Sequence, residues 1–187
     1  MTAEPTASAS ADAFAATTRQ LAKMLRNLSR WLVAARDHAE ERGFDADKWL
    51  DSRLAVDQFP LVRQVRAACD NAKGTVARMA GQVPPRHADD ETELDQLLAR
   101  IDKVVAYLDG FSAADFADLD DRMVPLFFAK GMGSPAPDYA REFGIPNFYH
   151  HVNMAYAILR AGGVKLGKRE YIGGMTTVEL PTPEVES

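Results

Sequence analysis

Between Phe14 and Ala35 one set of side chains returns at alternating steps of three and four residues: Phe14, Thr17, Leu21, Leu25, Leu28, Leu32 and Ala35. That rhythm lays a single stripe along a helix and excludes a strand, whose side chains alternate every second residue. Met24 and Trp31 widen the stripe, so that two neighbours can pack against it. A helix of this kind needs helical partners, which directs the chain towards a bundle.

Three further helices answer that need. Gly43 in "ERGFD" closes the first, predicted over residues 12–42. The connector "WLDSRLAVDQFP" leads to a second over 58–81, with Leu61, Val65, Ala68, Ala72, Thr75 and Met79 in its stripe and Gly81 as its stop. Pro60 suits a helix start, where backbone donors are unpaired in any case. Asp90 followed by Glu93 resembles a capping box and predicts a third helix over 90–109, with Leu94, Leu97, Leu98, Ile101, Val104, Val105 and Leu108 apolar. The fourth is predicted over 146–161, ending at Gly162 and Gly163. Residues 111–145 read as an irregular connection, with "RMVPLFFAKG" extended and "GMGSPAPD" rich in turns. Connections of this length tend to carry function or cover a pocket. The expected fold is all-α: an antiparallel four-helix bundle with a long irregular link between helices 3 and 4. One domain spans 12–175, with a flexible tail at 1–11 and a frayed one at 176–187.

Composition narrows the function classes. The net charge of -5, with no local run of Lys and Arg, argues against nucleic acid as a partner. No stretch of about 18 apolar residues exists to span a membrane. "MTAEPTASASADAF" lacks the basic start and apolar run of a secretory signal, and the single Cys69 suits a reducing cytoplasm. No histidine lies near Cys69 in sequence, so it is a weak nucleophile candidate.

The polar residues that interrupt apolar faces are more informative. In "PNFYHHVNMAYAILR", His151 shares a face with Phe148, Ala155 and Ile158, and Asn147 lies one turn below it. His150 points further round, with Met154 and Ala157. On the second helix Gln64 interrupts the stripe between Leu61 and Ala68, and Asp57 lies two turns earlier if the helix reaches back that far. Buried amides and carboxylates need hydrogen-bond partners, so these groups form either a core network that sets helix register or a ligand site. Helical phase predicts that His151 faces inward beside Gln64, with His150 nearer the rim.

The motifs "RLAVDQFPLVRQV", "PNFYHHVNMAYAILRAGGV" and "LGKREYIG" resemble an uncharacterised bacterial branch of the DinB/YfiT-like superfamily, the domain-of-unknown-function family nineteen ninety-three. The likeness runs in order over roughly residues 14–174. It implies a four-helix bundle related to metal-dependent enzymes that transfer low-molecular-weight thiols or isomerise with their help. Metal-binding members hold the ion with one histidine on the second helix and an H-x-x-x-H pair on the last. Here His151 matches the final histidine, Asn147 stands in place of the other, and Gln64 is the nearest polar residue on the second helix. Neutral amides are poor donors to zinc or nickel, so no cofactor is expected. A divalent metal held through His151 is disfavoured, and Asp57 is the residue best able to reverse that expectation.

Other signals are weaker. "GGVKLGKR" nearly spells a phosphate loop, but Arg169 replaces its Ser or Thr and the segment follows a helix. "FADLDDRM" lacks the glycine and final glutamate of a calcium loop. His38 and His87 fall among charged residues and are expected at the surface. Two functions compete. One is a pocket for a small molecule or thiol cofactor, with His151 as general base and Asp57, Gln64, Asn147 and Tyr156 as ligand-binding residues. The other is a non-catalytic, homodimeric structural or interaction protein.

Overall fold

The Phe14–Ala35 stripe lies within α1, Ala9–Arg42, closed by Gly43 in the left-handed conformation (φ 72°). The helix begins one turn earlier than expected because Ser8 caps it, its side chain accepting from the Ala11 N–H at 3.1 Å. Part of the expected tail is therefore helical. A computed structural model describes residues 8–180; the outer parts of both expected tails, 1–7 and 181–187, lie outside the described residues. Every stripe position is buried except Thr17, which is half-buried, and Thr18 takes the inward place with its hydroxyl on the Phe14 carbonyl at 3.0 Å.

The connector holds a short 3-10 helix, Ala46–Asp51. Trp49 hangs from it over α1, its indole N–H donating to the Ala35 carbonyl at 3.0 Å. The ring lies so close to the end of the last long helix that a Cβ on Gly162 would meet it at 2.3 Å, so the expected helix stop also makes room for a tryptophan.

Helix α2 is Leu61–Met79 and α3 is Leu94–Asp109, both starting later than the sequence pattern suggests. Pro60 is the N-cap of α2 and restricts the residue before it, so the helix does not reach back to Asp57. The predicted Asp90–Glu93 box does not form. Instead Gln96 caps α3, its Oε1 accepting from the Thr92 and Glu93 amides at 2.7 and 3.2 Å. Residues 88 and 91 are held by arginines: Arg100 bonds the Ala88 carbonyl at 2.8 Å and Arg66 the Glu91 carbonyl at 2.7 Å.

The link after α3 contains a 3-10 turn, Ala113–Phe116, whose Phe116 packs edge-on against Phe14 at 4.9 Å. A small antiparallel hairpin follows, β1 (Met123–Pro125) and β2 (Gly133–Pro135), with Val124 opposite Ser134. The predicted extended segment supplies β1. Beyond it the chain differs from expectation: α4 (Ala136–Tyr139) passes through a π-turn (Ala140–Gly144) straight into α5 (Ile145–Ala161). Proline cannot bond four residues back within an α-helix. Just before Pro146 the ladder widens, and the Ile145 N–H reaches the Ala140 carbonyl five residues earlier. Gly144 lies against α2, where a Cβ would meet Thr75 Oγ1 at 2.5 Å.

The basic tail contains one more element, α6 (Lys168–Ile172). Tyr171 stacks on Trp31 at 5.5 Å, the Trp31 indole donates to the Glu170 carbonyl at 3.1 Å, and Asn27 donates to the Tyr171 carbonyl at 2.8 Å. Helix α1 packs on α3 and α5, and α2 on α3 and α5, around one shared core. Among the described residues no helix is long and apolar enough to cross a membrane.

Candidate functional site

Gln64 is 1% exposed, on the α2 face that meets α5. Its Nε2 donates to the Phe59 carbonyl at 3.2 Å, which leaves Oε1 as an acceptor. His151 Nδ1 lies 2.8 Å from that oxygen. The pairing therefore places the imidazole proton on Nδ1 and the lone pair on Nε2. Burial, helped by the neighbouring His150, lowers the His151 pKa from its ordinary 6.5 to about 4. The ring is neutral at physiological pH. His150 is exposed, with its ring centroid 5.1 Å from that of His151. Helical phase anticipated both orientations.

One turn along, Asn147 Nδ2 donates to Asn71 Oδ1 at 2.6 Å, and Asn71 Nδ2 donates to the Ala67 carbonyl at 2.8 Å. Asn71 was not singled out from sequence because its partner is 76 residues away. The α2–α5 seam is thus a run of paired amides and one imidazole.

The other two expected site residues lie elsewhere. Asp57 is exposed in the connector, because α2 starts at Leu61. Tyr156 packs edge-on against Trp31 at 5.2 Å and against Tyr171 at 5.4 Å. Five helical residues turn a side chain about 140° from its starting face, so Tyr156 looks towards α1 and α6 when His151 looks towards α2. Five cavities, from about 210 to about 470 Å³, are lined by residues other than His151, Gln64 and Asn147.

The donor set does not fit the metal that the superfamily resemblance implies. Among the described residues no group of three or more His, Cys, Asp or Glu side chains comes close enough to share an ion. At the matching positions His151 Nδ1 and Gln64 Oε1 bond each other, Gln64 Nε2 donates to the Phe59 carbonyl and Asn147 Nδ2 donates to the Asn71 side chain.

A second polar cluster joins α2, α3 and the 82–93 segment. Arg100, 3% exposed, reaches Asp70 and Glu91 at 2.8 Å and Asp89 at 3.1 Å. Lys73, 5% exposed, lies 2.7 Å from Asp70 and 2.9 Å from His87 Nδ1, which accepts from it. Arg66 bonds Glu91 at 2.6 Å. Burial opposes ionisation of Glu91, but hydrogen bonds from Arg100, its own backbone and Arg66, with the Arg100 charge, hold its pKa below the ordinary value. Burial, then the Lys73 charge, lower that of His87. His87 and His38 are both half-buried rather than exposed, His38 lying 5.9 Å from the Trp49 ring. Cys69, fully buried beside this cluster, has its thiol pushed up to about 12 by burial, so no thiolate forms near neutrality. The one sequence signal for this cluster was positional. Arg100 falls three residues after Leu97 and four before Val104, on the apolar face of α3.

Residues 13–172 match the family described as "Domain of unknown function (DUF1993)", and the chain belongs to that family. It is similar to a solved structure, a DinB family member protein from Shewanella denitrificans, with 43% identity and a TM-score of 0.83. The alignment covers 88% of this chain and 93% of that one. No match was found among curated proteins.

Proposed function

We propose that this chain is an antiparallel four-helix bundle acting as a non-catalytic binding or interaction protein, with the ancestral ligand positions serving as a seam that sets helix register. The observation that carries this reading is the closed pairing of Gln64 with His151 and of Asn71 with Asn147. With the Gly144–Thr75 approach, these contacts rise in number along α2 as they fall along α5, which supports antiparallel packing. The competing reading, a small-molecule or thiol-cofactor pocket with His151 as base, needs a cavity at the seam and a base that titrates near neutrality. A pKa of about 4 is a poor match to that task.

Replacing His151 by Leu is expected to cost roughly 1–3 kcal/mol, because Gln64 Oε1 is then buried without a donor. The same change at exposed His150 should stay within about 0.5 kcal/mol. Equal losses in urea denaturation would sink the seam as a structural element. The His151 pKa is lower in the folded than in the unfolded state. Its contribution to stability is therefore complete above pH 6.5 and lost as pH falls towards 4, a slope that His151→Leu should remove.

Elemental analysis of protein purified without chelator should find well under one equivalent of zinc, nickel, iron or manganese. Stoichiometric metal that disappears in His151→Leu would overturn the reading. The proposal extends to a homodimer, supported by apolar side chains left at the surface beyond β1, Phe128 (57% exposed) and Met132 (63%). Light scattering should show dimer at rising concentration; a monomer throughout would remove this part.

A further inference from the structure

The two buried cations among the described residues, Lys73 and Arg100, are paired with carboxylates; two half-buried arginines are less well matched. Arg78, near the end of α2, makes no ion pair among the described residues, in contrast to Arg66 and Arg100. Among the described residues the one carboxylate paired with Arg122, just before β1, is Asp118 at 4.0 Å, and that carboxylate is 88% exposed. Arg122 Nε is buried with no acceptor among the described residues. A buried charged donor left unpaired is uncommon and calls for a partner.

Both arginines line one cavity of about 250 Å³, together with Gly81, Gln82, Met123, Val124 and Pro125. No carboxylate is among the lining residues. Two glycines give the guanidinium groups their space. A Cβ on Gly81 would fall 1.5 Å from Arg122 Nη1, and one on Gly74 would fall 2.6 Å from Arg78 Nη1. The hairpin supplies the apolar wall through Met123, Val124 and Pro125, and the Arg78 guanidinium lies 5.8 Å from the Phe127 and Tyr139 ring centroids.

We propose that this cavity binds a small carboxylate carried on an apolar body, such as an aryl- or alkylacetic acid. Guanidinium forks match the two oxygens of a carboxylate and bind it best where charge is not already cancelled. The apolar wall favours a ligand with a hydrophobic side over a bare oxyanion. The site shares no residue with the His151 seam, so it goes beyond the functional reading above and either can fail alone.

The test is a nuclear magnetic resonance titration of the isotopically labelled full chain with three probes. Phenylacetate carries both features, phenylacetamide has the same shape without the charge, and inorganic phosphate has charge without the apolar body. Phenylacetate should give saturable shifts at Gly81, Gln82, Arg122 and Val124, with a Kd on the order of 1 mM or tighter. Phenylacetamide should leave those signals in place, and phosphate should bind about tenfold more weakly. Arg78→Gln and Arg122→Gln should each weaken phenylacetate binding at least about tenfold. If one variant fails to fold, the other variant and the charged-against-neutral comparison on the unaltered chain still decide. Equal shifts from acid and amide, shifts centred away from these residues, or no saturation would overturn the proposal. Phosphate binding as tightly as phenylacetate would overturn the ligand class.

Discussion

Replacing Arg100 by Met should lower the unfolding free energy by about 3 kcal/mol, at the low end of what removing one partner of a buried ion pair costs. The guanidinium is nearly inaccessible and bonds Asp70, Asp89, Glu91 and the Ala88 carbonyl at once. Without it Glu91, whose side chain is 9% exposed, keeps only Arg66, and Asp70 keeps only Lys73. That partial compensation is why the upper end is not reached. Amide exchange across residues 86–91 should quicken in the same variant, because Arg100 ties the Ala88 carbonyl and the Glu91 side chain to α3. Arg36→Met is the control, since its pair with Asp95 is 45% and 73% exposed and should matter by less than about 1 kcal/mol. Similar losses for the two variants in urea denaturation would show that the network carries no special weight. The sign with pH is set by Glu91. Its folded pKa is depressed, so its contribution is present above the ordinary 4.5 and lost as pH falls through the lower folded value.

The second large effect is expected at Trp31, where replacement by Ala should cost about 3–5 kcal/mol. The residue is 1% exposed and joins three elements. Its ring meets Tyr156 of α5 and Tyr171 of α6, and its indole N–H holds the Glu170 carbonyl. A helix as short as α6 has little stability of its own. Its amides should therefore lose protection in Trp31→Ala while those of α2 and α3, relative to the lowered global stability, keep theirs. A loss below about 1.5 kcal/mol, or an α6 still protected, would mean that Asn27 alone anchors the segment.

Arg100 and Trp31 also mark where sequence reading reached its limit. Trp31 was legible as a core residue, since helical periodicity is local and its position in the α1 stripe needs no knowledge of partners. The inward turn of His151 and the outward turn of His150 follow from the same local rule, and so does the presence of Gln64 on the facing stripe. The resemblance to the DinB-like family rested on contiguous motifs and needed no coordinates. None of this identified what Trp31 holds, because α6 exists through contacts made 139 to 144 residues away along the chain.

Charge and backbone interruption were decided by tertiary structure. An arginine in an apolar stripe is costly until carboxylates from other segments reach it, so Arg100 acquires meaning only when Asp70, Asp89 and Glu91 converge on it. Asp57 dropped out of the site because Pro60 delayed α2, and Tyr156 because its place on α5 turns it towards other neighbours. The start of the last long helix moved because a π-turn absorbed Pro146 while Gly144 closed on Thr75. Amphipathic phase is a property of each helix alone, so the sequence by itself determined which faces turn inward. Which polar groups meet across those faces depends on long-range approach, and only the folded chain brings them together.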